Sequence, residues 1–401
     1  MIRIKPSIEH QATCPRCGGG LHAKKILWQG IHVCVMSTCS SCGREIIGDL
    51  PVGHAAGAPY QIDRENDRLF GPAASRIWLG EPLLRSLRSP SLEAMPLQVR
   101  KFIETRHAVI LNCIDFLYGH SLLKLLNAER HLRSAPGHGL IVMAPKFLAW
   151  LIPQGVAEAW IVDLPLSKAR SFYPDLDRQI EQECRRFETV FVSRALPHPK
   201  EFNISRLTSV EKHEFGEARF RVAFVWREDR LWCGSKLATG GLRRVGLRTL
   251  AVLWQKLKVM SLFRRLRRHL PEATFTVVGL GKTGRFPSWI EDSRTCGYSE
   301  EIERRHCRIY SESRLIVGVH GSNMLLPSGL GGLTIDLMPD ERWGNFGQDI
   351  LYQEGDPRVA SFRYRFLPIS IEVSVLARIA LLQVRGYREF VRQMSGTREY
   401  E

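Results

Sequence analysis

The sequence predicts an α/β protein built from two successive Rossmann-like halves, preceded by a small zinc-binding unit. Three observations lead there. Apolar strand-like runs alternate with amphipathic helical stretches from about residue 107 onward, the rhythm of mostly parallel sheets. A polar interval from Pro197 to about Gly216 divides that series in two, and two CxxC pairs fall within the first 42 residues. The expected organisation is a zinc knuckle or ribbon over 1–50 and a connector with short helices over 51–105. A first Rossmann-like domain follows over 106–205, and a second over 217–401 that ends in a helix.

CPRC places Cys14 and Cys17 two residues apart, STCSSCGR does the same for Cys39 and Cys42, and 21 residues separate the pairs. Four thiolates on two tight turns close a tetrahedral zinc shell, and a closed shell leaves no position for water, so the expected role is structural. The plain alternative is four unrelated reduced thiols, and Cys34 belongs to neither pair. The first half offers strands at 107–113, 139–144, 158–164 and 189–193. In the second half strands are expected at 219–226, 274–279, 314–319 and 333–338, with helices near 246–269, 299–312 and 345–353.

With 401 residues, 44% hydrophobic and 24% charged, the chain is long enough for two globular domains and an accessory module. No stretch of about 18 apolar residues and no amino-terminal apolar leader core occurs, so a cytoplasmic location is expected. Ten cysteines, four of them paired as CxxC, point to metal rather than to a disulfide framework. A formal charge of +16 favours an anionic partner: nucleotide, nucleic acid, acidic glycan or anionic lipid.

The richest stretch is SRLIVGVHGSNMLLPSGLGGLTIDLMPDERWGN, read as strand, sharp turn, helix, strand. The turn His320, Gly321, Ser322, Asn323 lies where a strand end meets a helix start, and backbone N–H groups and the helix dipole favour a phosphate there. VGVHGSNMLL followed by IDLMP resembles the family 61 glycosyltransferases, with their VGxHGAxLxN-like turn and an apolar strand ending in an acid and Pro. GYSEEIERRHCRIYSESR, and the strand exit VAFVWREDRLW, extend the likeness. The resemblance implies a GT-B fold, two Rossmann-like domains facing a cleft, and a nucleoside-diphosphate sugar held by His320, Gly321, Ser322 and Asn323. Ser322 stands where the family has Ala, and WREDR departs from its Arg-then-Asn-Glu pattern. Arg227 and Arg230 are added on chemical grounds, because guanidinium forks match phosphate oxygens and offset charge on a departing diphosphate. Pairing of these arginines with Glu228 and Asp229 is the alternative.

In the first half the strand AVILNC leads into IDFLYGHS, which puts Asp115 and His120 at a strand's carboxyl end. Inverting transfer needs a base for the acceptor hydroxyl, and His120 ranks above Asp115 for it. Tyr118 and His120 also resemble the family's aromatic-then-His helix opening, with Lys124 or Asn127 where an acid is expected. Asp163 reads as a turn cap before Pro165.

GKT at 281–283 is no Walker loop, because the glycine required five residues earlier is Thr276; a Rossmann-like nucleotide turn is the weaker reading. The stretch 246–269 gathers Leu250, Leu253, Trp254 and Leu257 on one face and carries Lys256, Lys258, Arg264, Arg265, Arg267 and Arg268 elsewhere. It reads as a solvated basic face, with peripheral contact to an anionic membrane as the functional alternative. The leading expectation is a metal-independent inverting transferase acting on a glycan or lipid-linked acceptor, with no nucleic acid partner. The competing readings are a zinc-containing nucleic-acid binder and a noncatalytic sugar-nucleotide scaffold.

Overall fold

The computed structural model describes residues 1–134, 137–216, 219–232 and 248–395. The chain divides into two compact units, Met1–Asn203 and Ile204–Glu401. Both are mixed α/β.

Unit 1 holds two sheets. The larger has six strands in the order β1 (Ile2–Lys5), β11 (Thr189–Val192), β8 (His107–Asn112), β9 (Gly139–Pro145), β10 (Glu158–Val162) and β7 (Leu97–Lys101). Its four central strands are parallel, and β1 and β7 close the edges antiparallel. The central strands are buried almost throughout, as strands covered on both faces must be. The second sheet is an antiparallel meander of β2 (Leu21–Trp28), β3 (Val33–Cys39), β4 (Glu45–Asp49), β5 (Gln61–Asp63) and β6 (Arg68–Phe70). Leu27, Cys34, Ile47, Tyr60, Ile62 and Leu83 form its core.

The meander is tied to the large sheet through buried polar contacts: Trp28 N donates to Asp177 Oδ1 at 2.7 Å and Asn112 Nδ2 to Gly30 O at 2.7 Å. The stretch 51–105, expected as a connector with short helices, does contain the helix Glu81–Arg88, but it also supplies β5, β6 and β7. These short strands carry charged residues or sit at sheet edges, so their apolar alternation is too brief to stand out.

Unit 2 has one sheet of six parallel strands, ordered β14 (Ile290–Thr295), β13 (Ala273–Leu280), β12 (Phe220–Arg227), β15 (Ser313–Val319), β16 (Leu333–Met338) and β17 (Tyr364–Pro368). Counted along the chain within the unit, this is the order 3-2-1-4-5-6 of a doubly wound nucleotide-binding sheet. β14 reads IEDSRT and β17 YRFLP, too polar or too short to register as apolar runs. The helix expected at 345–353 is absent: Asp340–Asn345 forms a 3-10 turn and irregular chain follows. The helix expected from 246 is described over Arg248–Arg267; 246 and 247 lie outside the described residues. It buries Ala251, Val252, Val259, Leu262, Phe263 and Leu266 on the sheet, and the face with Leu250, Leu253, Trp254 and Leu257 is the one turned to solvent. Among the described residues no helix is long and apolar enough to cross a membrane.

Candidate functional site

Each unit brings chemistry-bearing side chains to the carboxyl end of its own sheet at the topological switch point, where neighbouring strands lead away in opposite directions and open a crevice. In unit 2 that point lies between β12 and β15.

Arg227 ends β12. Its Nε donates to Asp229 Oδ1 at 2.7 Å, Nη2 pairs with Asp229 Oδ2, and Nη1 reaches Asn323 Oδ1 at 3.4 Å. Arg230 points the other way: its Nη1 donates to His320 O at 2.8 Å, and no other acceptor among the described residues takes its remaining N–H groups. Burial first, then Arg227 and Arg342 nearby, lower its pKa against the opposing pull of Asp349 and Asp229.

The turn after β15 is shaped around that guanidinium. Gly321 has φ +151° and ψ 170°, a region open only to glycine, and a Cβ there would stand 2.0 Å from Arg230 Nη1 and 2.8 Å from Asn323 Oδ1. Ser322, Asn323 and Met324 then form a 3-10 turn that runs into the helix Leu325–Leu330. His320 was expected to face a phosphate. Its ring is instead 1% exposed, with Nδ1 2.7 Å from Asp336 Oδ2 and Nε2 3.2 Å from Asp349 Oδ2. The imidazole thus braces the turn against β16, and the polar groups not drawn into that brace are Arg230, Asn323 and the backbone. Asp349 escaped sequence reading because a helix was expected across it.

The GKT turn is fixed from both sides. Thr283 N and Oγ1 donate to Glu228 at 2.8 and 2.9 Å, and buried Arg294 donates to Thr283 O at 3.0 Å and Gly284 O at 2.7 Å. Its hydroxyl and amide are therefore engaged in holding the β12 exit.

In unit 1 the switch point lies between β8 and β11. Asp115, just past β8, is 1% exposed at its side chain; its Oδ1 is 3.2 Å from His120 Nδ1 and its Oδ2 2.8 Å from Lys124 Nζ. Lys124 also donates to Ile114 O at 2.9 Å. Burial works against charge on Asp115, yet Lys124 and His120 hold its carboxyl well below the usual range. Lys124 thus stands where an acid was expected and fixes Asp115 as the anion.

A second imidazole completes the group, and sequence reading missed it. His54 arrives from the turn after β4, anchored where Gly53 N donates to Arg194 O beyond β11. Its ring lies 4.1 Å from that of His120, with Trp78 edge-on at 5.0 Å. Ligand atoms of His54, Asp115 and His120 all lie within 4.8 Å of one another. Only the partnership of an accessory sheet with the β8 exit brings them together, which no local pattern announces. Asp163, by contrast, pairs with Lys146 at 2.6 Å on the surface.

His54 is held near 4, by burial first and then by His120 and Lys124, and His131 near 4, by burial and Arg130. His131 Nε2 lies 2.7 Å from Ser193 Oγ. Both folded values lie below the ordinary 6.5, so the unfolded chain takes up these protons first as pH falls. Their stability contribution is intact above about pH 6.5 and is lost on acidification towards 4, on the order of 2–3 kcal/mol each. Urea unfolding at pH 7.5 and 4.5 should show that loss, and His131→Gln should flatten the slope by close to one proton. Equal stability at both pH values would contradict it.

At the amino terminus Cys14 and Cys17 precede β2, while Cys39 ends β3 and Cys42 follows in the next turn. The sulfurs of Cys14 and Cys42 are 3.8 Å apart and those of Cys17 and Cys39 3.4 Å, with all four within 4.8 Å. A tetrahedral zinc with Zn–S of about 2.3 Å sets its sulfurs about 3.8 Å apart, so the donor set fits that ion. The two knuckles repeat one geometry: Gly18 N donates to Cys14 O at 2.9 Å and Gly43 N to Cys39 O at 3.1 Å. Leu21 and Ile46 pack beneath the thiols.

No family model and no curated protein matches the chain. Among solved structures it is similar to the Glycosylation Associate Protein (Gap123) complex from Streptococcus agalactiae, with TM-score 0.29 and 10% identity over 90% of this chain and 66% of that one. It is similar to the pneumococcal O-GlcNAc transferase GtfA in complex with UDP and GlcNAc, with TM-score 0.26 and 10% identity over 90% and 63%. The third is TarM, with TM-score 0.26 and 9% identity over 90% and 63%. The chain spans less than two thirds of the length of each.

Proposed function

We propose that the chain is a GT-B glycosyltransferase, resembling family 61, that moves a sugar from a nucleoside-diphosphate donor to a glycan or lipid-linked acceptor. The observation that carries this reading is the Arg230–Gly321 arrangement at the switch point of the 3-2-1-4-5-6 sheet. There a guanidinium and a glycine-shaped turn converge where such sheets bind nucleotides. Arg230, Asn323 and the amides of the 321–323 turn would take the diphosphate, with Arg227 opening from Asp229 to join them.

In unit 1, His120 is the group we assign as base. Asp115 accepts from its Nδ1 and so leaves Nε2 with a free lone pair. That nitrogen takes the proton of an acceptor hydroxyl as the oxygen bonds to the anomeric carbon. The anomeric C–O bond to the diphosphate breaks, and the arginines offset the charge on the leaving group. The His54, Asp115, His120 group has the ligand types for a metal ion, but Lys124 already balances Asp115 at 2.8 Å, which favours proton handling. The four amino-terminal cysteines would hold one zinc with a structural role. Zinc supplies tetrahedral cross-linking of the two knuckles, and the chain supplies the packing beneath it.

The test is a thermal-shift screen against UDP-, GDP-, CMP- and dTDP-sugars, in wild type and Arg230→Ala. One donor at 100 times its Kd should stabilise the wild type by about 2.7 kcal/mol and leave R230A unshifted. Indifference of the wild type to every donor would end the reading.

A further inference from the structure

Between Arg230 and Pro271 the sequence carries eleven Lys and Arg residues and no Asp or Glu, leaving 46 basic against 41 acidic for the whole chain besides. Most of the net charge therefore sits in one tenth of the sequence, and the helix Arg248–Arg267 is the main described part of it. Its solvent face runs in two sections. Over the first turns it presents Leu250, Leu253, Trp254 and Leu257, at the i, i+3, i+4, i+7 spacing of one stripe, with exposures of 56, 37, 55 and 55%. Further along it presents Arg264 and Arg265, with Arg268 just beyond, and among the described residues no carboxylate pairs with any of the three. The opposite face is fully used, with Val259, Leu262 and Phe263 at 0% exposure. The stripe is thus surplus to what the fold needs.

We propose that this helix face docks on an anionic lipid surface, with the Leu/Trp stripe entering the interfacial region and the arginines meeting phosphate headgroups. The proposal does not depend on the glycosyltransferase reading. Four large apolar side chains left in water have no use against a nucleic acid backbone, which is gripped by charge, whereas an interfacial helix needs both an apolar stripe and basic flanks. Trp254 suits the headgroup boundary, where an amphipathic ring is stabilised at both ends. An acidic protein would accept the arginines, but the uninterrupted absence of carboxylates over 42 residues matches an extended negative surface better than a patch of fixed charges.

The experiment is sedimentation of the full chain with vesicles of phosphatidylcholine alone and of equal parts phosphatidylcholine and phosphatidylglycerol, at low and high salt. Expected is binding to the anionic vesicles only, weakened by salt. R264Q/R265Q should partition about 25-fold less well, about fivefold for each charge removed. W254S/L257S should lose binding while keeping the wild-type melting temperature, since both side chains are exposed. Binding that ignores lipid charge would overturn the proposal. So would unchanged binding by both variants, a stripe variant that loses a dimer rather than lipid, or capture of duplex DNA in preference to vesicles.

Discussion

Replacing Cys39 with serine, or treating the protein with a strong metal chelator at neutral pH, is expected to unfold the cysteine end of the five-stranded meander. Structural zinc in small Cys-ligated folds contributes on the order of 10 kcal/mol of apparent binding energy, as large as the whole stability of a typical domain. The meander has little else at that end. Its local core is Cys14, Leu21, Cys39 and Ile46, and two of those four belong to the four-cysteine group itself. The larger cluster draws Leu27 from β2, Cys34 from β3 and Ile47 from β4, so loss of the knuckle should fray the opposite ends of β2 and β3, where Leu21 pairs with Cys39. His54 follows the far end of β4, where Asp49 pairs with Cys34, so its contact with His120 should loosen only where fraying runs the length of that strand. Elemental analysis should find one zinc per chain in the wild type and less than one tenth of that in C39S, with early proteolytic cleavage within residues 1–70. A metal-free wild-type protein with an unchanged melting curve would show that the thiols are merely neighbours.

What was readable in the sequence follows from where its signals are generated. All eight strands expected from long apolar runs exist, because a strand covered on both faces must be apolar throughout and so announces itself. Edge strands and the meander did not: β6 exposes Arg68, β14 exposes Glu291 and Asp292, and β5 is three residues long with a buried Asp63. The convergence of Cys14, Cys17, Cys39 and Cys42 was legible because each CxxC pair is confined to one local turn. His54 was not, because its role depends on an accessory sheet folding over a distant strand end. The same holds for His320: sequence shows a histidine next to a glycine at a strand exit, but only the positions of Asp336 and Asp349 decide that its ring turns inward. Leu250, Leu253, Trp254 and Leu257 show the reverse problem. Periodicity identifies a stripe but is silent on which of two faces meets the sheet, and here the other face, with Val259, Leu262 and Phe263, won that contact.

Gly321→Ala is expected to cost about 3–5 kcal/mol of unit 2 stability and to eliminate donor binding. Two separable terms make up the cost. The backbone at φ +151° is strained for any side chain, on the order of 1–3 kcal/mol. In addition, the new Cβ would lie 2.0 Å from Arg230 Nη1, so the guanidinium must leave its bond to His320 O, a charge-assisted contact worth about 1.5–3 kcal/mol. The second term can be isolated, because Arg230→Ala removes the atom in the way. In that background Gly321→Ala should cost only the backbone term, and the two substitutions should be less than additive by about the value of the Arg230 contact. Strict additivity would mean that Arg230 does not occupy the space above Gly321. Donor affinity follows the same geometry: either single variant displaces the guanidinium from the turn, so each should bind as weakly as the double variant. Unit 2 melting curves and donor titrations on the four proteins measure both cycles, and a G321A protein that melts and binds like the wild type would remove the phosphate site from this turn.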